Sequence, residues 1–151
     1  MTEASKAILV NTVKEWQKFA AERDKFTAVA QEVADLARKC VFESVGFLKT
    51  QNVETEAESP ETMTIMKAPV HIDPVIEATF PNVKVSVTMK CSGAARVIVI
   101  NPNLTVSAGG TPVAYEALKK GIPASFEANA ADFVRDAFLY IARMGGKEQA
   151  T

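Results

Sequence analysis

From Ala4 to Gln51 the chain has no proline and a single glycine, Gly46. Ala, Glu, Lys, Gln and Leu dominate this stretch, and these residue types lose least on entering a helix. A helix of about 45 residues rises about 67 Å. A compact chain of 151 residues has a radius of gyration of only roughly 15 Å, so such a helix does not fit on its own globule. Two solutions remain. One is a single long helix, bent or projecting, that finds a partner. The other is a hairpin of two helices broken in the polar Arg23-Asp24-Lys25 stretch, where no glycine or proline marks a turn.

The apolar residues of this segment form two stripes. Phe19, Phe26, Val33, Cys40 and Phe47 recur every seven residues, with Val29 and Leu36 between them, which is the spacing of a coiled-coil seam. Leu9, Val13, Trp16, Ala20, Ala30, Ala34, Ala37, Val41 and Leu48 form the second stripe. A helix apolar on two sides is expected to be buried on two sides. The reading is therefore an oligomer interface carried by Trp16, Phe19, Phe26, Val29, Val33, Leu36 and Cys40.

After residue 50 the composition changes. Residues 51–61 are polar and acidic and read as a linker between the helix (residues 1–50) and a globular unit (residues 62–151). The hydrophobic period then becomes two. TMTIM (62–66), VIEATF (75–80), VKVSVTMKC (83–91), ARVIVI (95–100) and LTVSA (104–108) read as strands. Pro81-Asn82, Ser92-Gly93-Ala94 and Asn101-Pro102-Asn103 supply turns at short spacing, as in an antiparallel meander. The third strand alternates cleanly and should bury Val83, Val85, Val87, Met89 and Cys91. ARVIVI is apolar on both faces and should be central. Two helices close the chain. The first is expected to be capped by Thr111 with Pro112 at its first position and to end at Gly121. The second is expected from Ser125 to Met144, apolar along Phe126, Ala130, Phe133, Ala137, Phe138, Ile141 and Met144, and stopped by Gly145-Gly146. The expected fold is α+β: a long N-terminal helix, about five antiparallel strands, then two helices.

Gly109-Gly110-Thr111, between a strand and a helix, has the outline of a phosphate-gripping turn. The spacing of such loops is absent, no lysine follows in the first turn, and Pro112 removes an amide that would bind the anion. It reads as a turn. His71, the only histidine, and Asp73 share a face in extended backbone, which could orient an imidazole, but flanking Pro69 and Pro74 fit a loop or edge strand. A single histidine offers no zinc spacing, and neither do Cys40 and Cys91, which read as buried thiols. Lys84, Lys90, Lys67 and Arg96 lack the interleaved aromatics of single-strand nucleic-acid platforms, so they read as a solvated face. Asp132, Arg135 and Asp136 read as local ion pairs on the last helix.

Charge supports the same view. The net −1 is divided as +1 over residues 1–50, −5 over 51–82 and +3 over 83–151. No strong basic field for nucleic acid results. No apolar run is long enough for a membrane span. The N-terminus has no secretory pattern, and the helix's polar face mixes acids with bases, unlike surface-seeking helices. With no poised nucleophile, acid or base, and no cofactor or metal motif, the sequence leans away from an enzyme. Three functions fit. The first is a cytoplasmic structural protein, part of a virion, secretion machine or similar multi-copy assembly, joined through its N-terminal helix to itself or a neighbouring subunit. The second is a small-ligand module whose pocket, between sheet and helices, has His71, Asp73 and Tyr115 at its mouth. The third is a chaperone or inhibitor that captures a protein segment by strand addition.

Overall fold

A computed structural model describes residues 1–149, and side chains as far as Met144. Helix α1 (Glu3–Thr50) is unbroken over 48 residues, so no hairpin forms at Arg23-Asp24-Lys25. Both ends are capped. The Thr2 side chain accepts a hydrogen bond from the Ser5 amide. At the other end the amides of Asn52 and Val53 return to the carbonyls of Lys49 and Leu48, with Asn52 at φ 63°. That left-handed residue closes the last turn in the glycine-free way open to asparagine.

Seven strands follow in one antiparallel sheet whose spatial order is the chain order: β1 (Thr55–Ser59), β2 (Thr62–Ile65), β3 (Ala68–Thr79), β4 (Asn82–Cys91), β5 (Ala94–Ile100), β6 (Thr105–Ser107) and β7 (Val113–Ala114). The α+β class and the meander are those read from sequence, with two more strands than expected. β1 lies inside the acidic stretch read as a linker. Its Thr55 is buried and Ala57 packs on the core, while Glu56 and Glu58 face water. The alternation was present, but acidic residues disfavour strands and masked it. β7 lies where Thr111 was expected to cap a helix. The backbone of Val113-Ala114 pairs with Thr105-Val106, and the Tyr115 amide bonds the Leu104 carbonyl. These groups are taken by the sheet, so helix α2 (Tyr115–Lys120) starts only at Tyr115. Gly121 is extended at φ 173° and needs no glycine freedom. Helix α3 (Ala124–Gln149) continues through Gly145 and Gly146. Glycine lowers helix stability by about 1 kcal/mol per residue but keeps its N–H, so the ladder is not forced to stop.

α1 and α3 lie side by side on one face of the sheet and share a core with it. Val33, Val41, Val45, Ile65, Val87, Met89, Ile98, Val106 and Phe133 are almost wholly buried there. β4 buries the residues expected of it: Val85, Val87, Met89 and Cys91 are buried and Val83 partly so. β5 differs from expectation. Ile98 and Ile100 are buried, but Val97 and Val99 face solvent at 53% and 41% exposure, because helices cover only one side.

β3 is the longest strand and runs through Pro69 and Pro74. β2 pairs only with its first two residues, Ala68 and Pro69, so the outer edge from Val70 to Thr79 has no strand beside it. The loop-or-edge reading of His71 and Asp73 thus resolves to an edge. The Asp73 carbonyl points to β4, where it accepts from Thr88 Oγ1, and the Ile72 carbonyl points outward to Arg38. Alternation then places the nitrogen of Pro74 outward too, where its missing donor leaves no ladder bond unmade.

Candidate functional site

Residues 3–18 of α1 are all exposed, and the helix becomes buried only at Phe19. Sixteen residues rise about 24 Å, so α1 extends past the sheet as a bare arm. Its apolar side chains have nothing of their own chain to cover them: Ile8 is 66% exposed, Leu9 54%, Val10 49%, Val13 51% and Trp16 53%. Leu9, Val13 and Trp16 fall on one face of the helix with Ile8 and Val10 to either side, a contiguous apolar surface of the kind that interaction sites use.

The base of the arm is fixed. Phe19 meets Phe80, at the tip of the β3–β4 hairpin, edge to face with ring centroids 5.4 Å apart. The Arg23 guanidinium lies 5.8 Å from the Phe19 ring. Glu15, Lys18, Glu22 and Pro81 complete a cleft of about 310 Å³ around this aromatic pair. Phe80 remains 46% exposed, so the hairpin tip adds apolar surface beside the arm.

The interface expected from sequence divides at this point. Phe19, Val29, Val33 and Cys40 are buried against the chain's own sheet and α3, and Phe26 and Leu36 pack on the same core. From Phe19 to Cys40 the sevenfold repeat faces the chain's own core rather than a partner, while Phe47, its last member, is 64% exposed. Trp16 alone of that set lies on the bare arm. The stripe of Leu9, Val13, Trp16 and Ala20 was legible beside it, but spacing does not say where the sheet ends.

The residues expected at a ligand mouth do not meet. His71 and Asp73 border a hollow of about 250 Å³ with Arg38, Pro60, Glu61 and Met63, at the free edge of β3. Tyr115 lies beyond the far edge of the sheet, bonded to Glu32 of α1, with Lys119 Nζ 4.8 Å from its ring centre. A larger groove, about 410 Å³, runs between α1 and α3 past Cys40, Ser44, Phe47, Leu48 and Val134, with Glu43, Glu127 and Arg135 around it. Both hollows are open surface features rather than closed chambers under the meander.

Arg38 is a structural residue of this edge that sequence reading missed. Its Nε and Nη2 donate to the Ile72 carbonyl at 3.0 and 2.7 Å, and its Nη1 to Asp35 at 2.8 Å. It thereby caps one outward carbonyl of the open β3 edge, a device that blunts edge-to-edge pairing. Arg96, read as part of a solvated face, instead sits on the helix-covered side. It donates to Asp136 of α3 at 2.9 Å and to the buried Asn129 at 3.4 Å. The ion pairs of Asp136 are therefore not merely local to the helix, although Arg135 also pairs with Asp132 and Asp136. The hydrogen bond from Arg96 holds the Asp136 carboxyl below its ordinary value.

Cys40 and Cys91 are free and buried. Burial pushes each thiol up to about 11, far from the thiolate a nucleophile needs. Among the described residues no three His, Cys, Asp or Glu side chains converge as metal ligands, and no helix is long and apolar enough to cross a membrane. No family model, no curated protein and no solved structure matches the chain.

Proposed function

We propose that this chain is a non-enzymatic assembly protein, which joins copies of itself or a neighbouring subunit through the N-terminal arm of α1. The carrying observation is the arm: a continuous helix that leaves its own globule with Leu9, Val13 and Trp16 bare. A helix segment that packs on nothing gains no tertiary stabilisation, yet here it extends a helix already nucleated on the sheet. Such an element is suited to docking. A multi-copy particle or secretion machine made in the cytoplasm is the setting this reading favours, with protein rather than nucleic acid as partner.

Strand addition has one observation in its favour, the open β3 edge. Arg38 and Pro74 block its first half, and only the stretch between Pro74 and the hairpin tip remains free for a guest strand. That is short for capture by main-chain bonding.

Trp16 is the only tryptophan, so its fluorescence reports on the arm alone. With rising concentration, or on mixing with the neighbouring subunit, its emission is expected to shift to the blue as mass by light scattering rises. Trp16→Asp should hold the mass at one chain while circular dichroism stays unchanged. A chain that stays at 16.3 kDa at every concentration would remove the self-assembling form of this reading.

A further inference from the structure

We infer that the groove between α1 and α3 is a binding site for a small organic cation, an ammonium group carried on an apolar ring or chain. This goes beyond the assembly reading and does not rest on the arm. The lining is apolar at its base, with Leu48 from α1 and the buried Val134 from α3. Phe47 stands beside them with 64% of its surface exposed. It is the last member of the sevenfold repeat, and the only one whose ring no other element covers. The space of about 410 Å³ falls within the roughly 300–1,000 Å³ of small-ligand sites.

Charge selects the ligand. Glu43 of α1 and Glu127 of α3 both line the groove with exposed side chains. Both lie close enough to Cys40, between them, to raise its thiol. Two carboxylates from different helices therefore flank one apolar floor. Among the described residues neither has an ion-pair partner. Arg135 is the one cation of the lining, and it is engaged by Asp132 at 3.3 Å and Asp136 at 3.0 Å. Lys39 lines a separate hollow beside Glu61. The groove thus keeps an unbalanced negative charge next to uncovered apolar surface.

An apolar cation answers both features at once. A neutral ligand leaves the carboxylates as they were, and an anion is repelled by them. A metal ion does not fit, because no three ligating side chains converge among the described residues and it gains nothing from Phe47. The Cys40 thiol, pushed up to about 11, stays neutral near pH 7, so binding is reversible and no covalent bond forms. Exposed carboxylates contribute modestly and are screened by salt. The preference for a cation over an anion of the same body should be about tenfold and shrink at high salt.

The test is titration of the whole chain with phenylbutylamine and, separately, with phenylbutyrate, followed by the amide resonances of Ser44 and Ala131. The amine is expected to shift both resonances at about a tenth of the concentration that the acid needs. Glu43→Gln combined with Glu127→Gln, both at exposed positions, should equalise the two probes while circular dichroism stays unchanged. Ala131→Trp should block the groove and abolish the response. Equal affinity of the parent for amine and acid would overturn the inference, as would no shift with either. An amine preference that survives the double substitution, or binding that survives Ala131→Trp, would place the site elsewhere and overturn it too. If N-acetyl-lysine amide binds as tightly as phenylbutylamine, the groove belongs to a lysine of a protein partner and the small-molecule form fails. None of these outcomes depends on the mass of the protein in solution, so the assembly reading stands or falls separately.

Discussion

The two halves of α1 are the same helix under opposite conditions. Residues 3–18 carry Ile8, Leu9, Val10, Val13 and Trp16 into solvent, while residues 19–50 bury Val29, Val33, Val41 and Val45 almost completely. Composition hardly separates them, for both are rich in Ala, Lys and Glu with an apolar stripe. The difference is the sheet. It supplies the second surface for one half and stops at Phe80, so the other half is left without one. An apolar stripe by itself thus leaves open whether the rest of the chain covers it.

A matched pair of substitutions breaks or confirms this contrast most directly. Val33 is fully buried and Val13 is 51% exposed, twenty positions apart on one helix. Val33→Asp buries an unpaired carboxylate and should cost about 4 kcal/mol or more, enough to unfold many domains of this size. Val13→Asp should leave the melting temperature within a few degrees and act only on mass. Circular dichroism melts with light scattering on both variants decide it. If Val13→Asp unfolds the protein, the arm is packed and the contrast fails.

The buried half should also carry an alkaline sensitivity that the arm lacks. Cys40 and Cys91 have their thiols raised from 9.0 to about 11, mainly by burial. A raised folded value favours the neutral form, so this stability is complete below pH 9 and is lost as pH rises toward 11. The loss approaches about 2 kcal/mol per thiol, from the size of the shift. Urea midpoints between pH 8 and 11 should fall less steeply in the Cys40→Ala, Cys91→Ala double variant. Equal slopes would show that the thiols titrate as freely folded as unfolded.

At the junction the effect is smaller. Phe80→Ala removes the edge-to-face contact with Phe19 and should cost about 1–2 kcal/mol. Because Phe80 is half exposed, the larger sign should be local. Amides of residues 15–22 should exchange faster while those of Val33 to Val45 keep their protection. Uniform loss of protection would mean that the hairpin tip braces the whole body rather than the arm's base.

Much of this architecture was legible from periodicity. The alternation of VKVSVTMKC marks which face of β4 is buried, and the proline-free run marks a helical segment, with its continuity through Arg23-Asp24-Lys25 left to the structure. What escaped depends on neighbours distant in sequence. β1 hides behind Glu56 and Glu58, whose acids read as linker until Met63 and Ile65 cover Thr55 and Ala57 from the next strand. β7 and the late start of α2 follow from backbone bonds to Leu104 and Val106, which no capping rule sees. Met66 and Lys67 turn the β2–β3 hairpin at φ 48° and 72° without a glycine. At the candidate site, the stripe of Leu9, Val13 and Trp16 could be read. Its isolation from the sheet could not, because the reach of the β3–β4 hairpin is set by ten residue pairs of register.

The smallest expected effect compares ion pairs on the two halves of the molecule. Arg96 and Asp136 join β5 to α3, with side chains 29% and 38% exposed. Lys6 and Glu3 on the arm are 55% and 92% exposed. Asp136 is held below its ordinary 3.8, chiefly by the Arg96 hydrogen bond. A lowered folded value means that the pair's contribution is present above about pH 4 and disappears as pH falls below it. Solvent screening limits it to about 1 kcal/mol or less. Asp136→Asn should therefore lower the urea midpoint at pH 7 and converge with the parent near pH 2, and Arg96→Met should do the same. Glu3→Gln should leave the midpoint at pH 7 unchanged, because its ion pair with Lys6 lies on the open surface, where such pairs contribute little. If removing Glu3 costs as much as removing Asp136, the tip of the arm is in contact with protein under the conditions of the melt. The melts would then have to be repeated at lower concentration before the body's own stability could be read.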